Sequence, residues 1–194
     1  AGSIARGNTI GPDISGDAIL TGRPFGIGVF LRQGGTLGGV SDGQGNQVSG
    51  NLGEGVIVDD FGAADVLIAG NRIGTDSAGT AALRNASSGV LVRKHQGVAH
   101  VGIGISGGGN VISGNADHGI EFDQENFADP APAGAVVQGN LIGTDLTGTA
   151  AIPNEDAGIE IDTHGEGLLI GGAVPAARNV ISGNVDEGII AGTN

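Results

Sequence analysis

The 194-residue chain contains no Cys, Met, Trp or Tyr, has 41 Gly and five Phe, and carries a formal charge of −13. Without Cys there can be no disulfide and no thiolate metal site. The acidic balance opposes binding to nucleic-acid phosphates, and no apolar run is long enough to span a membrane, so membrane insertion is not expected.

Along the chain one element recurs: an Asn, then one residue, then Ile or Val. It reads GNTIG at 7–11, NQVSGN at 46–51, GNRIG at 70–74, NVISGN at 110–115, GNLIG at 139–143 and NVISGN at 179–184. Downstream of each lies a Gly followed by an apolar residue, at Gly26, Gly55, Gly89, Gly119, Gly158 and Gly188. The gaps from Asn to Gly are 18, 9, 18, 9, 18 and 9 residues. Such spacing marks a tandem array of alternating long and short units. Each unit reads as three short strands, as in GIEID at 158–162, GLLIGG at 167–172 and RNVISG at 178–183, bounded by Gly and Asn. No segment has a helical period. The expected fold is therefore all-β: a single domain over 1–194, a parallel β-helix of about six coils, with Asn8, Asn46, Asn71, Asn110, Asn140 and Asn179 stacked in one column. Uneven coil length favours the right-handed form over the stricter hexapeptide spacing of left-handed helices.

The long units carry GPDISGDAIL at 11–20, GTDSAGTAAL at 74–83 and GTDLTGTAAI at 143–152. Asp13, Asp76 and Asp145 each precede a Gly by three residues, which is the pattern of an Asx-type turn. GISGGG at 104–109 lacks the strand–helix context of a phosphate loop and reads as a turn. No P-loop, HExxH, GxSxG or EF-hand motif is present.

On the Gly-Ile strands, the first and third residues after Gly face inward and the second and fourth outward. The second position then holds Gly28, Ile57, Leu91, Glu121, Glu160 and Ile190, and the fourth Phe30, Asp59, Arg93, Asp123, Asp162 and Gly192. Glu121, Asp123, Glu160 and Asp162 thus form a two-by-two block of carboxylates on adjacent coils, the candidate metal ligands of the chain, with calcium the candidate ion. Two carboxylates about 5 Å apart repel by about 1 kcal/mol in water and about 3 kcal/mol at an effective dielectric near 20. Solvation, a bound cation or Arg93 would relieve that repulsion. Arg93, Lys94 and His95 lie one coil before the block, and His118, His164 and Glu125 flank it. The segment DQENFADPAPAG at 123–134 lengthens its unit beside this face, where it could wall a groove.

GNLIGTDLTGTAAI, GNVISGN and RNVISGN resemble the repeats of bacterial right-handed parallel β-helix proteins of the pectin-lyase-like superfamily, in particular the long repeat regions of secreted or cell-surface proteins. The resemblance covers essentially the whole chain and implies an extracellular or cell-surface setting. The fold carries lyases, hydrolases, epimerases, adhesins and passive stalks, so it implies no single activity. By resemblance, Asp123 and Asp162 would be calcium ligands and Arg93 or Lys94 a base or substrate clamp. Independently, Glu160 and Asp162 stand two residues apart on one strand, about 6.7 Å, within the range of an inverting glycosidase pair. The family's local catalytic signatures and an N-terminal amphipathic capping helix are both missing. The expectation is therefore a structural or binding solenoid segment: a stalk, adhesion or self-assembly module. The alternative is a polysaccharide-active enzyme acting on acidic glycans, with Arg93, Lys94, Glu160 and Asp162 as its catalytic candidates. The chain, which has no initiator Met, is expected to be processed or excised from a longer array. Flanking repeats or end-to-end self-association would cover its ends.

Overall fold

The computed structural model describes residues 2–20, 26–59, 64–94, 96–124, 134–163 and 167–192. Eighteen strands form three all-parallel sheets of six. Sheet 1 holds β1 (Ser3–Ala5), β4 (Gly35–Gly38), β7 (Val66–Ala69), β10 (Ala99–Val101), β13 (Val136–Val137) and β16 (Leu169–Ile170). Sheet 2 holds β2 (Thr9–Ile10), β5 (Gln47–Val48), β8 (Arg72–Ile73), β11 (Val111–Ile112), β14 (Leu141–Ile142) and β17 (Val180–Ile181). Sheet 3 holds β3 (Val29–Leu31), β6 (Val56–Asp59), β9 (Val90–Arg93), β12 (Ile120–Asp123), β15 (Ile159–Asp162) and β18 (Ile189–Ala191). Each strand pairs with strands three earlier and three later in the chain. The molecule is thus a parallel β-helix of six coils, and its only helical turn among the described residues is a 3₁₀ turn at Pro175–Ala177.

Inward positions stack aliphatic on aliphatic. Val48, Ile73, Ile112 and Ile142 run up sheet 2, and Val58, Val92 and Phe122 run up sheet 3, all fully buried. A core this narrow leaves little room for large aromatics, and Phe122 is the largest side chain it contains.

The Asn column forms as the spacing predicts. Each side chain accepts from the coil before and donates to the coil after. Asn110 Oδ1 accepts from the backbone N–H of Asn71 at 2.9 Å and from its Nδ2 at 3.0 Å. Asn110 Nδ2 donates to Asn140 Oδ1 and to the Ile68 carbonyl, both at 2.9 Å. A buried amide offers two donors and two lone pairs, and here all four are used. The same links join Asn8 to Asn46, Asn46 to Asn71 and Asn140 to Asn179.

A second ladder, not read from the sequence, runs along the next corner: Asn51, Asn85, Asn115, Asn154 and Asn184, joined at 2.8–3.0 Å. It explains the recurrent Gly before each sheet 3 strand. A methyl at Gly55, Gly89, Gly119 or Gly158 would lie 2.7–2.9 Å from the Nδ2 of Asn85, Asn115, Asn154 or Asn184 respectively. The same methyl would lie 2.6–2.7 Å from the carbonyl of the next column glycine, so these glycines make room for the ladder and for the coil after; their φ angles are not positive.

The ladder also corrects the first coil. Val29 pairs with Val56 and Phe30 with Ile57, so the glycine equivalent to Gly55 is Gly28, not Gly26. The second outward position in that coil is therefore Phe30, whose ring the Arg32 guanidinium covers at 4.5 Å. Both Gly26 and Gly28 precede an apolar residue, and the packing tells them apart: a methyl at Gly28 would meet the Gly55 carbonyl at 2.5 Å, Val48 Cγ1 at 2.6 Å and Asn51 Nδ2 at 2.7 Å, whereas one at Gly26 would meet nothing within 4 Å.

The hexapeptide NVISGN can now be read residue by residue. Asn110 belongs to the first ladder, Val111–Ile112 is β11, and Asn115 belongs to the second ladder. Ser113 Oγ donates to the Thr144 carbonyl at 2.7 Å and accepts from Gly143 N–H at 3.0 Å, gripping the base of the next coil's long loop. Gly114 takes a left-handed φ of 75° at the turn between them.

The long loops at 11–20, 74–83 and 143–152 are short antiparallel arms closed by the bridges Pro12–Ile19, Thr75–Ala82 and Thr144–Ala151. Gly16, Gly79 and Gly148 N–H donate to the carbonyls of Asp13, Asp76 and Asp145, the turn expected from the Asp–Gly spacing. The Asp145 carboxylate also accepts from Thr149 N–H, Ala150 N–H and Thr147 Oγ1. They hold the Asp145 carboxyl below its ordinary 3.8, as the Ser15 hydroxyl does for Asp13 and, against the opposing effect of burial, the Thr80 and Ala81 N–H groups do for Asp76. Gly104–Gly109 is a turn, with Gly108 N–H donating to the Ile105 carbonyl.

Asn110→Leu strands donors and acceptors on two neighbouring coils at about 1–3 kcal/mol for a buried unsatisfied group. Denaturant melts should show a loss of at least about 3 kcal/mol, against less than about 1 for Asn8→Leu at the exposed end of the ladder. Gly28→Ala should cost about 1–3 kcal/mol by overpacking, with Gly26→Ala within about 0.5 of the parent. The reverse order would restore the register expected from spacing alone.

Candidate functional site

Sheet 3 pairs β12 with β15 as Glu121–Glu160 and Asp123–Asp162, so the two-by-two carboxylate block exists in the expected register. Parallel pairing forces this, because identical positions in successive coils must stack. On the other side of β12, Asp123 pairs with Arg93, which in turn pairs with Asp59. The outer column therefore reads Asp59, Arg93, Asp123, Asp162. Arg93 Nε donates to Asp59 Oδ2 at 2.9 Å, in a part-buried ion pair with the preceding coil. Lys94 follows at the strand end with φ 55°, the one non-Gly residue in the left-handed region among those described, a conformation that costs of order 1 kcal/mol. His95, Glu125, His164 and most of the 123–134 segment, including Phe127, lie outside the described residues.

The face is less solvated than an outward face would suggest. All four carboxylates are only partly exposed, and Ile57 and Leu91 in the same inner column are buried. Two partners come from the turn before the strand, one coil earlier. Ser88 Oγ donates to Glu121 Oε2 at 2.6 Å, and His118 Nε2 lies 2.9 Å from Glu160 Oε2. The two contacts share one geometry: the residue just before the column glycine reaches the second residue of the next coil's strand. Burial raises the Glu121 carboxyl above its ordinary 4.5, and the Ser88 hydrogen bond only partly offsets this. Burial likewise raises Glu160, opposed by His118.

The spacing placed His118 beside the block but did not show its other neighbours. His118 Nδ1 lies 3.7 Å from Asp156 Oδ1, and Nε2 lies 3.6 Å from Asp117 Oδ1. Asp117, Asp156 and Asp186 each stand two residues before a column glycine, so they occupy one position on successive coils. That recurrence is visible in the sequence once the glycines are aligned.

Comparison with protein-family models, with curated proteins and with solved structures finds no match.

The raised Glu121 fixes the sign of a pH effect. Its folded value lies above 4.5, so the folded chain holds the proton to higher pH than the unfolded one. Stability from this group is present below 4.5 and falls as pH rises through the folded value. Glu121→Gln keeps an acceptor for Ser88 and removes the buried charge. Denaturation measured from pH 4 to 8 should find the variant more stable than the parent near neutrality, the gap closing toward pH 4. A gap independent of pH would show that burial of this charge is not the cause.

Proposed function

We propose that the chain is a structural β-solenoid segment of a secreted or cell-surface protein, working as a stalk or self-assembly module. The observation that carries this reading is the polarity of its ladders. In the first ladder every Asn donates in one direction, from Asn8 toward Asn179. One end of the stack therefore presents acceptors and the other donors, and a further coil, in the same chain or another copy, satisfies either end without rearrangement. The flanking strands favour the same partner. Ile4 on β1 is 63% exposed and Ile189 on β18 is 45% exposed, and both lie on open sheet edges suited to β-pairing. The resemblance of the repeats to the surface-protein regions of the pectin-lyase-like superfamily supports the extracellular setting, as does the acidic charge, which keeps a rod of stacked coils soluble. Glu121, Asp123, Glu160 and Asp162 are the candidate calcium ligands of its surface. The rival reading, an enzyme acting on acidic polysaccharide through Arg93, Lys94, Glu160 and Asp162, draws on the raised carboxyls of Glu121 and Glu160.

Sedimentation velocity over a hundredfold concentration range should show the chain forming head-to-tail species. Ile189→Lys, which places a charge on the open edge of sheet 3, should leave it monomeric. A parent chain that stays monomeric throughout overturns the assembly reading. New reducing ends or unsaturated products from a panel of uronate polymers, lost in Glu160→Gln, would replace it with the enzyme.

A further inference from the structure

Where sheet 2 turns into sheet 3, the His118 imidazole is 9% exposed and sits among carboxylates from two coils. Its Nε2 is 2.9 Å from Glu160 Oε2 and 3.6 Å from Asp117 Oδ1, so in the neutral ring the proton belongs on Nε2, facing Glu160. That leaves a lone pair on Nδ1. This atom is buried and has no hydrogen-bond partner. It faces Asp156 Oδ1 across 3.7 Å, too far for a hydrogen bond. In that tautomer two acceptors, Nδ1 and Asp156 Oδ1, face each other in a partly desolvated corner, and a cation between them would satisfy both.

We propose that Asp117, His118 and Asp156 form a binding site for a divalent transition-metal cation of the zinc class, a site that adjoins the carboxylate block of sheet 3 and draws on it through Glu160 alone. One ligand atom from each residue, a ring nitrogen of His118 and a carboxylate oxygen of each aspartate, lies within 4.8 Å of the others, and the two aspartates approach opposite nitrogens of the ring, Asp156 Oδ1 at Nδ1 and Asp117 Oδ1 at Nε2. Two ligands each about 2.1 Å from a shared zinc ion stand about 3.4–3.7 Å apart, the separation found between Nδ1 and Asp156. Glu160 then takes the supporting part, accepting Nε2–H and orienting the ring, as carboxylates do behind metal-bound histidines. The two aspartates are half-exposed, which leaves solvent a route to the remaining coordination positions. Three protein ligands that include an imidazole suit zinc. Calcium needs six to eight oxygens, which this corner does not supply. The stacking of coils supplies the geometry: Asp117 and Asp156 hold the same position on adjacent coils, and His118 adjoins the first of them.

The competing occupant of the gap is a proton, which would make His118 an imidazolium between carboxylates. Calorimetric titration of EDTA-treated chain with Zn²⁺ at pH 7.5 separates the two. One Zn²⁺ should bind per chain and raise the melting temperature with concentration, because a ligand of the folded state stabilises by mass action. Equimolar Ca²⁺ should not displace it. Asp117→Asn and Asp156→Asn should each weaken Zn²⁺ at least tenfold while leaving the metal-free melting temperature within a few degrees, and His100→Gln should leave binding unchanged. In ¹⁵N spectra, Zn²⁺ should shift His118 Nδ1 and leave Nε2 protonated. No Zn²⁺ binding, binding indifferent to both Asp variants, displacement by equimolar Ca²⁺, or a His118 ring that stays doubly protonated with Zn²⁺ present would each overturn the proposal. The absence of Cys removes thiolate capture as a source of adventitious affinity.

Discussion

A parallel coil has one hard constraint: at each corner the chain leaves a sheet, and its buried peptide groups lose their ladder partners. Here the first two corners meet it with a carboxamide that repeats at the coil pitch of about 4.8 Å. An Asn side chain spans that distance while its second N–H turns back to a strand carbonyl, as Asn110 does to Ile68. Once those columns are fixed, position n of one coil must lie over position n of the next. The aliphatic stacks, the glycine column and the pairing of Glu121 with Glu160 all follow. The third corner, between sheets 3 and 1, shows no such column among the described residues, and its length varies without the alternation that the arms impose on the second corner. The connections there run from three residues, between Leu31 and Gly35, to twelve, between Asp123 and Val136.

Column contacts were legible in the sequence because they depend on spacing alone. The Asn–Gly gaps placed five of six coils in register, and they placed the carboxylate block correctly. The first coil was misread because spacing chose between Gly26 and Gly28 by counting, whereas the structure chooses by the clearance that the Gly55 carbonyl, Val48 and Asn51 need. The second ladder was equally available, since Asn51, Asn85, Asn115, Asn154 and Asn184 each stand four residues before a column glycine. It was hidden because in long coils the arm separates it from the first ladder, while in short coils it ends the hexapeptide. The contacts of His118 and Ser88 are of another kind. They run diagonally, from before the glycine of one coil to the second strand residue of the next, and a reading by columns does not find them.

Stacking in register also sets the electrostatics of sheet 3. A parallel solenoid cannot offset like charges by slipping a strand without turning its core face outward. Relief must come from the sequence of each column or from its diagonals. In the outer column Arg93 separates Asp59 from Asp123. In the inner column the two glutamates face each other directly, and each draws a diagonal donor, Ser88 for Glu121 and His118 for Glu160. Both donors sit just before a column glycine. The matching positions in the adjoining coils, Glu54 and Ala157, stand opposite Leu91 and Ile190, where no carboxylate needs a donor.

The alternation of long and short coils has a steric origin in the arms. An arm is a chain that runs out and back, closed by an antiparallel bridge such as Thr75–Ala82, so it is two strands thick. Two strands at about 4.8 Å occupy about 9.6 Å, which is the rise of two coils. Arms on every coil would collide, and arms on every third would leave a gap exposing backbone groups. On alternate coils they close on one another. Leu146 N–H donates to the Gly79 carbonyl at 2.9 Å, and Ser77 bonds Asp17 through both N–H and Oγ. The armless coils complete the fit. Gly50 and Gly114 N–H donate to the Leu83 and Ile152 carbonyls on the returning strand of the arm above, and Ser49 and Ser113 hold its base. NVISGN therefore recurs every second coil because it is what a coil needs when its neighbour's arm lies across it: an amide for each ladder, a hydroxyl for the arm, and a glycine for the turn between them.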